Sequence, residues 1–294
     1  MERMQVPMRV VFYITVPLIM ILGSCIVRPI MEFSYDISDD PQELRYIFQD
    51  PEGVYLSTLR EDYQLLSRTA VAGSDLQRAA VLAAWVHGLW EHDGESAASK
   101  QDSLTILWEA EEGGKFRAIE YAVVLSGALQ AVAVPSRFIN LHGKDIEETT
   151  VSHVVVEAYM RDLQKWVVID PRWNRIPMYQ GSPLNAFELQ SIMSKDPRSI
   201  TFFQTDRDRS YIRWIRQYLY YMHTNQDSRL NVESYAFKNL MLVPTNLPIP
   251  GYYSPYHRNR GFELSLSASI THDPNYFYGT PIILFDDEAE AAGL

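Results

Sequence analysis

Gly113-Gly114-Lys115-Phe116-Arg117-Ala118-Ile119-Glu120-Tyr121-Ala122 runs from a paired-glycine turn straight into an apolar helix. From its start, Ala118, Ala122, Leu125, Leu129 and Val132 recur at i, i+4, i+7, i+11 and i+14, a spacing that predicts one buried stripe. Pro135 ends the pattern, since proline has no N–H for a helical hydrogen bond. Upstream, Ser74-Asp75 reads as an N-cap ahead of Leu76, Ala79, Ala80, Ala83, Val86 and Trp90, a helix expected to stop near His92-Asp93-Gly94. Downstream come three strand-like segments, Ser136–Leu141, Val151–Met160 and Lys165–Asp170. The polar Arg161-Asp162-Leu163-Gln164 joins the last two and predicts a hairpin. Helices followed by antiparallel strands, without βαβ alternation, place the chain in the α+β class, a helix packed on an antiparallel sheet. Beyond Asn174 the spacing predicts a helix over 185–194 and an aromatic helix around Tyr211–Met222. The loop-rich tail with Pro244, Pro248, Pro250 and Pro255 is expected to pack on the core.

The hairpin carries chemistry. The midpoint of positions 153 and 170 is 161.5, inside the expected turn, so His153 and Asp170 should lie on neighbouring strands within about two residues of direct opposition. A carboxylate beside an imidazole fixes its tautomer and stabilises the imidazolium, which supplies two thirds of a nucleophilic triad. The natural seat for the third member is the first turn of the helix after Gly113-Gly114. There the helix dipole lowers a thiol's pKa and favours the thiolate. The residue at that seat is Ala118.

The glycine-led segment, followed by Ala133-Val134-Pro135-Ser136-Arg137, resembles the core of the transglutaminase-like superfamily, a papain-like cysteine fold. His153-Val154-Val155-Val156-Glu157-Ala158-Tyr159 is similar to the family's His-containing strand. Trp166-Val167-Val168-Ile169-Asp170-Pro171, with Trp173-Asn174 beyond, is similar to its Asp-containing strand. Order and spacing match over 75–174. The resemblance implies that His153 is the general base, Asp170 its orienting carboxylate, and position 118 the place of the nucleophilic Cys.

Ala118 departs from that pattern. A methyl group has no lone pair with which to attack an amide carbon, and Ser126, the nearest aliphatic hydroxyl further along the helix, is two turns away. The expectation is a protein inactive as written that binds a peptide or peptidoglycan-like amide in a vestigial Cys-His-Asp cleft. The alternative is an active cysteine acyltransferase or amidase/protease represented by a Cys-to-Ala variant, since alanine suits a helix at least as well as cysteine. His87 and His92 are five apart rather than four, which is not the spacing of a helical zinc pair. No metal and no cofactor is expected. Trp85 and Trp90 read as core residues, and Tyr218, Tyr220 and Tyr221 as packing.

The first 25 residues address the chain. Arg3 and Arg9 precede an uncharged apolar run from Val10 to Leu22, which closes on Leu22-Gly23-Ser24-Cys25. Thirteen residues suit a signal-peptide core better than a membrane span, which needs about 20. Small residues before a cysteine are similar to the lipobox of bacterial lipoproteins, which would make Cys25 the lipidated N-terminus of an exported protein anchored in the cell envelope. Cys25 is the sole cysteine, so no intramolecular disulfide can form and the folded domain holds no thiol. With 26 basic and 37 acidic residues the net charge is −11, and no basic cluster offsets it, which argues against nucleic acid as a partner. The acidic stretch from Asp286 to Glu290 reads as a solvated tail. The expected organisation is a signal segment at 1–25, a spacer and cap at 26–73, a transglutaminase-like core at 74–176, and an extension at 177–294 packed on that core.

Overall fold

Strand β1 (Glu43–Phe48) precedes five helices: α1 (Val54–Asp62), α2 (Leu65–Thr69), α3 (Asp75–His87), α4 (Ser103–Glu111) and α5 (Ala118–Ala131). Strands β2 (Ser136–His142), β3 (Ser152–Met160) and β4 (Lys165–Ile169) follow, then β5 (Pro177–Tyr179), β6 (Ser182–Pro183), helix α6 (Ala186–Lys195) and β7 (Ile200–Phe202). Next come α7 (Arg209–Ile215), β8 (Tyr221–Asn225), β9 (Asn239–Leu242), α8 (Pro255–Asn259), α9 (Leu264–Ser267), β10 (Ala268–Thr271), α10 (Pro274–Phe277) and β11 (Thr280–Phe285). The computed structural model describes residues 28–38, 43–150, 152–205, 207–230 and 237–285. The expected signal segment at 1–25 with Cys25, and the Asp286–Glu290 stretch, lie outside them.

The helix expected after the glycine pair is α5, and it starts at Ala118. Its apolar surface is wider than the single stripe read from the spacing: every residue from Glu120 to Ala131 is buried. Helices α1, α3 and α4 pack around one side of it and strands β2 and β3 support the other. Gly127 marks the closest approach, because a Cβ there would collide with Ser103 Oγ and stand 3.1 Å from Leu59 and Leu230 side-chain atoms. Helix α3 begins on its expected cap, the Ser74 hydroxyl accepting from Gln77 N at 3.2 Å. It stops at His87, five residues before the expected end. Gly88 N closes it on the carbonyls of Ala84 and Trp85, and Trp90 leaves helical register to pack against Phe116 and Tyr121.

β3 and β4 form the expected hairpin, pairing Val156 with Ile169 and Ala158 with Val167. The sheet around it is larger and less uniform than an antiparallel core. Its order is β10-β9-β8-β2-β3-β4, antiparallel throughout except for the parallel β10–β9 pair. Three of its strands thus come from beyond residue 176. The helix expected over Tyr211–Met222 is a correction: α7 ends at Ile215, a 3-10 turn covers Arg216–Tyr218, and Tyr221 opens strand β8. β8 is an inner strand with both faces covered, Met222 packing into one core cluster and Tyr221 into another, so the aromatic run reflects two-sided burial rather than helical period.

Two cores sandwich this sheet. Val156, Ala158, Val167 and Ile169 pack with the helices around α5. Val155, Trp166 and Val168 pack on the other face with β1, α6 and α7. Separately, β1 and β11 pair in parallel, and β5 is flanked by β6 and β7. Among the described residues no helix is long and apolar enough to cross a membrane.

Candidate functional site

Ala118, half-buried, opens α5. The N-cap residue Arg117 caps no backbone N–H with its side chain; its guanidinium bonds Glu120 at 2.7 Å instead, and Gln101 Nε2 donates to the same carboxylate at 2.8 Å. The first turn therefore carries a buried acidic group that is already neutralised. The dipole of α5 favours an anion at this end of the helix.

His153 and Asp170 are joined. His153 Nε2 lies 2.8 Å from Asp170 Oδ2, with His153 only 3% exposed and Asp170 fully buried. A carboxylate can only accept, so Nε2 carries the proton and Nδ1 keeps a lone pair for a second partner. Asp170 is fixed in turn: Oδ1 accepts from Trp173 N at 3.2 Å, and its backbone exchanges hydrogen bonds with Arg175 at 2.8 and 3.0 Å. Buried Tyr211 also bonds the Asp170 carboxylate; burial and then that negative charge hold its phenol well above the ordinary tyrosine range, so it stays protonated and donates. The hairpin register, continued, sets Val155 opposite Asp170. His153 is then diagonal to the carboxylate on the same face, two residues from direct opposition.

The geometry around the pair differs from a simple open cleft. α5 packs on the Val156–Ala158 face of β3, whereas His153 and Asp170 belong to the opposite face, at the end of the strands where α5 begins. Trp214 from α7 stands edge-on to the imidazole at 4.7 Å and Tyr218 lies at 5.7 Å, forming a roof. A loop bridges the two faces. Asp93 N donates to the carbonyl of Phe116 at 2.9 Å, and the His92 ring also bonds that carbonyl. Burial, followed by electrostatic repulsion from Arg172 and its His153 neighbour, holds His92 below the usual imidazole range. His92, Arg172 and Trp214 thus surround the site although their sequence context did not single them out for it. The spacing test on His92 asked only about zinc. Among the described residues no group of three or more His, Cys, Asp or Glu could hold a metal ion.

The profile of the transglutaminase-like superfamily matches residues 64–171. The chain carries a transglutaminase-like domain. Positions 118, 153 and 170 all fall within it, while Arg172 and the Trp214 roof lie beyond its end. Among solved structures the chain is similar to a candidate cysteine protease from Cytophaga hutchinsonii, at 11% identity and TM-score 0.34, covering 53% of this chain and 50% of that one. It is also similar to red sea bream transglutaminase, at 14% identity and TM-score 0.32, covering 56% of this chain and 33% of that one. The chain therefore spans half or less of the length of these proteins. No curated protein sequence matches it.

One residue from His153, on the other face of the sheet, Ser152 lines a cavity of about 600 Å³. His142, directly opposite Ser152, and His223 share a hydrogen bond, Nε2 to Nδ1 at 2.9 Å, and His257 and Tyr253 complete the cluster. Burial, with the charge of His257 added, pulls His142 down to about 4, and burial drives His223 well below its usual range. Both rings are neutral in the folded state at neutral pH. The unfolded chain binds their protons near pH 6.5, so stability is full above that value and is lost as pH falls towards 4. For His142 alone the interval corresponds to about 3 kcal/mol. We expect the urea midpoint to fall between pH 7 and pH 4.5, and the fall to shrink in a His142→Phe variant. An unchanged pH slope in that variant would remove His142 from the linkage.

Proposed function

We propose that the protein is a non-catalytic member of the transglutaminase-like superfamily, exported and tethered to the cell envelope through a lipid on Cys25. It binds a peptide or peptidoglycan-like amide in the cleft formed by Ala118, His153 and Asp170 and does not turn it over. One observation carries this reading. The base and its orienting carboxylate are intact at 2.8 Å, while the first turn of α5 presents a methyl group. Acyl transfer through a thiol needs the sulfur as the electron pair that attacks the carbonyl, and neither imidazole nor carboxylate replaces it in that position.

The test uses the full chain in detergent with benzyloxycarbonyl-Gln-Gly as a probe and hydroxylamine as acceptor. Binding without release of ammonia or formation of hydroxamate is expected, with weaker binding in His153→Ala. Hydroxamate formation by the unmodified chain, or no binding at all, overturns the reading. In cells, Cys25→Ser should move the protein out of the membrane fraction; retention there would discard the lipid tether.

A second reading, an active cysteine acyltransferase or amidase/protease carrying a Cys-to-Ala change, draws on the same intact pair. The codon at position 118 in the source genome separates the two, a cysteine codon meaning an active parent and an alanine codon a natural loss.

A further inference from the structure

Arg172 follows Asp170 by two residues and stands half-buried at the edge of the site. Its neighbours in type are all engaged: Arg117 with Glu120, Arg137 with Glu157, Arg161 with Asp75 and Arg175 with Asp208. Among the described residues Arg172 makes neither an ion pair nor a hydrogen bond. Its guanidinium lies over the rings of Trp214 at 4.9 Å and Trp173 at 5.7 Å. Stacking of this kind uses the face of the guanidinium and leaves its N–H edge free. The indole of Trp214 also contacts the His153 imidazole at 4.7 Å, so cation and candidate base share one ring. The charge of Arg172 also bears on His92, on Tyr121 of α5 and on Tyr218 beside the imidazole.

A planar fork held flat by aromatic rings, with no protein anion opposite, is the arrangement that receives a carboxylate through two parallel hydrogen bonds. We infer that Arg172 is the anion-binding element of this cleft and that the amide ligand is an anionic peptide with a carboxylate close to the amide facing His153. This inference rests on the amide-binding cleft proposed above. The carboxylate is either a free C-terminus or an acidic side chain, and both present the same chemistry to the guanidinium.

The experiment is calorimetric titration of the full chain with three acetylated tetrapeptides: Ala-Gln-Ala-Ala as the free acid, the same peptide as its C-terminal amide, and Ala-Gln-Glu-Ala as the amide. At least one anionic peptide is expected to bind tenfold or more tightly than the neutral one, and the tighter of the two identifies the source of the carboxylate. Arg172→Gln should erase that difference, and Arg172→Lys should restore part of it, since the charge returns without the fork. Equal binding of all three peptides, or an Arg172→Gln variant that weakens neutral and anionic peptides alike, overturns the carboxylate assignment and leaves the cleft standing. Failure of every peptide to bind overturns the cleft and this inference together.

Discussion

Ala118→Cys, made in a Cys25→Ser background so that it supplies the sole thiol, should yield a cysteine that iodoacetamide alkylates with a midpoint below the roughly 8.5 of a free thiol. Three features require it. Position 118 opens a fourteen-residue helix, where the dipole favours an anion. The buried Glu120 carboxylate one turn in is already bonded by Arg117 and Gln101, which limits its opposition to a thiolate. The polarised imidazole of His153 offers a lone pair at Nδ1 while Asp170 holds Nε2. The variant should also gain hydroxamate formation from benzyloxycarbonyl-Gln-Gly, and His153→Ala in the same background should abolish that gain, since loss of the base costs a triad about as much as loss of the nucleophile. Alkylation that follows an ordinary thiol and ignores His153 would mean that the opposite-face placement of the pair separates it from α5. Position 118 would then lose its role as the nucleophile seat.

The elements that position this site were the legible ones, and for a physical reason. α5 and the β3–β4 hairpin are defined by local period, a turn of four residues and paired strands adjacent in sequence. That His153 and Asp170 lie on neighbouring strands could be read from the turn centre, because hairpin register is set locally. The 2.8 Å bond between them is a finding of the fold. The extension was harder. β8, β9 and β10 are five, four and four residues long, and they become strands only by adding to a sheet nucleated elsewhere. β1 and β11 pair in parallel across almost the whole described chain, a contact that no local pattern announces. Arg172 illustrates the limit at the site itself. An unpaired cation beside the site is recognisable only once the arginines that flank it in sequence have been matched to their partners, and some of those partners lie in distant elements: Asp75 for Arg161, Asp208 for Arg175.

Glu157→Ala is expected to destabilise the fold by about 3–5 kcal/mol, the usual consequence of leaving a buried charge without its partner. Arg137 and Glu157 face each other directly across β2 and β3, both with no exposed side-chain surface, Nε and Nη2 donating to Glu157 Oε2 at 3.1 and 2.8 Å. These two residues helped to carry the family resemblance, and their spacing gave no hint of a role. The structure gives them a tethering one. Glu157 Oε1 accepts from Ala186 N at the start of α6 and from the Tyr278 hydroxyl after α10, at 2.8 and 3.0 Å. Arg137 donates to the Tyr46 hydroxyl on β1 and to the Phe277 carbonyl, and its guanidinium sits among the rings of Tyr46, Trp166, Phe277 and Tyr278. One ion pair thus binds the N-terminal strand and the C-terminal extension to the central sheet. A loss of that size is a large share of the roughly 5–15 kcal/mol by which domains are stable. It should lower the urea midpoint and speed proteolysis beyond residue 177 at the same time. Replacing both partners with apolar residues of similar volume, Arg137→Met with Glu157→Leu, should recover much of the midpoint, because the desolvation cost of both charges disappears. It should recover less of the protease resistance, since Ala186 N and Tyr278 then lose their acceptor. A Glu157→Ala protein with an unchanged midpoint would show that water reaches Arg137 and that the tether is not where the extension is held.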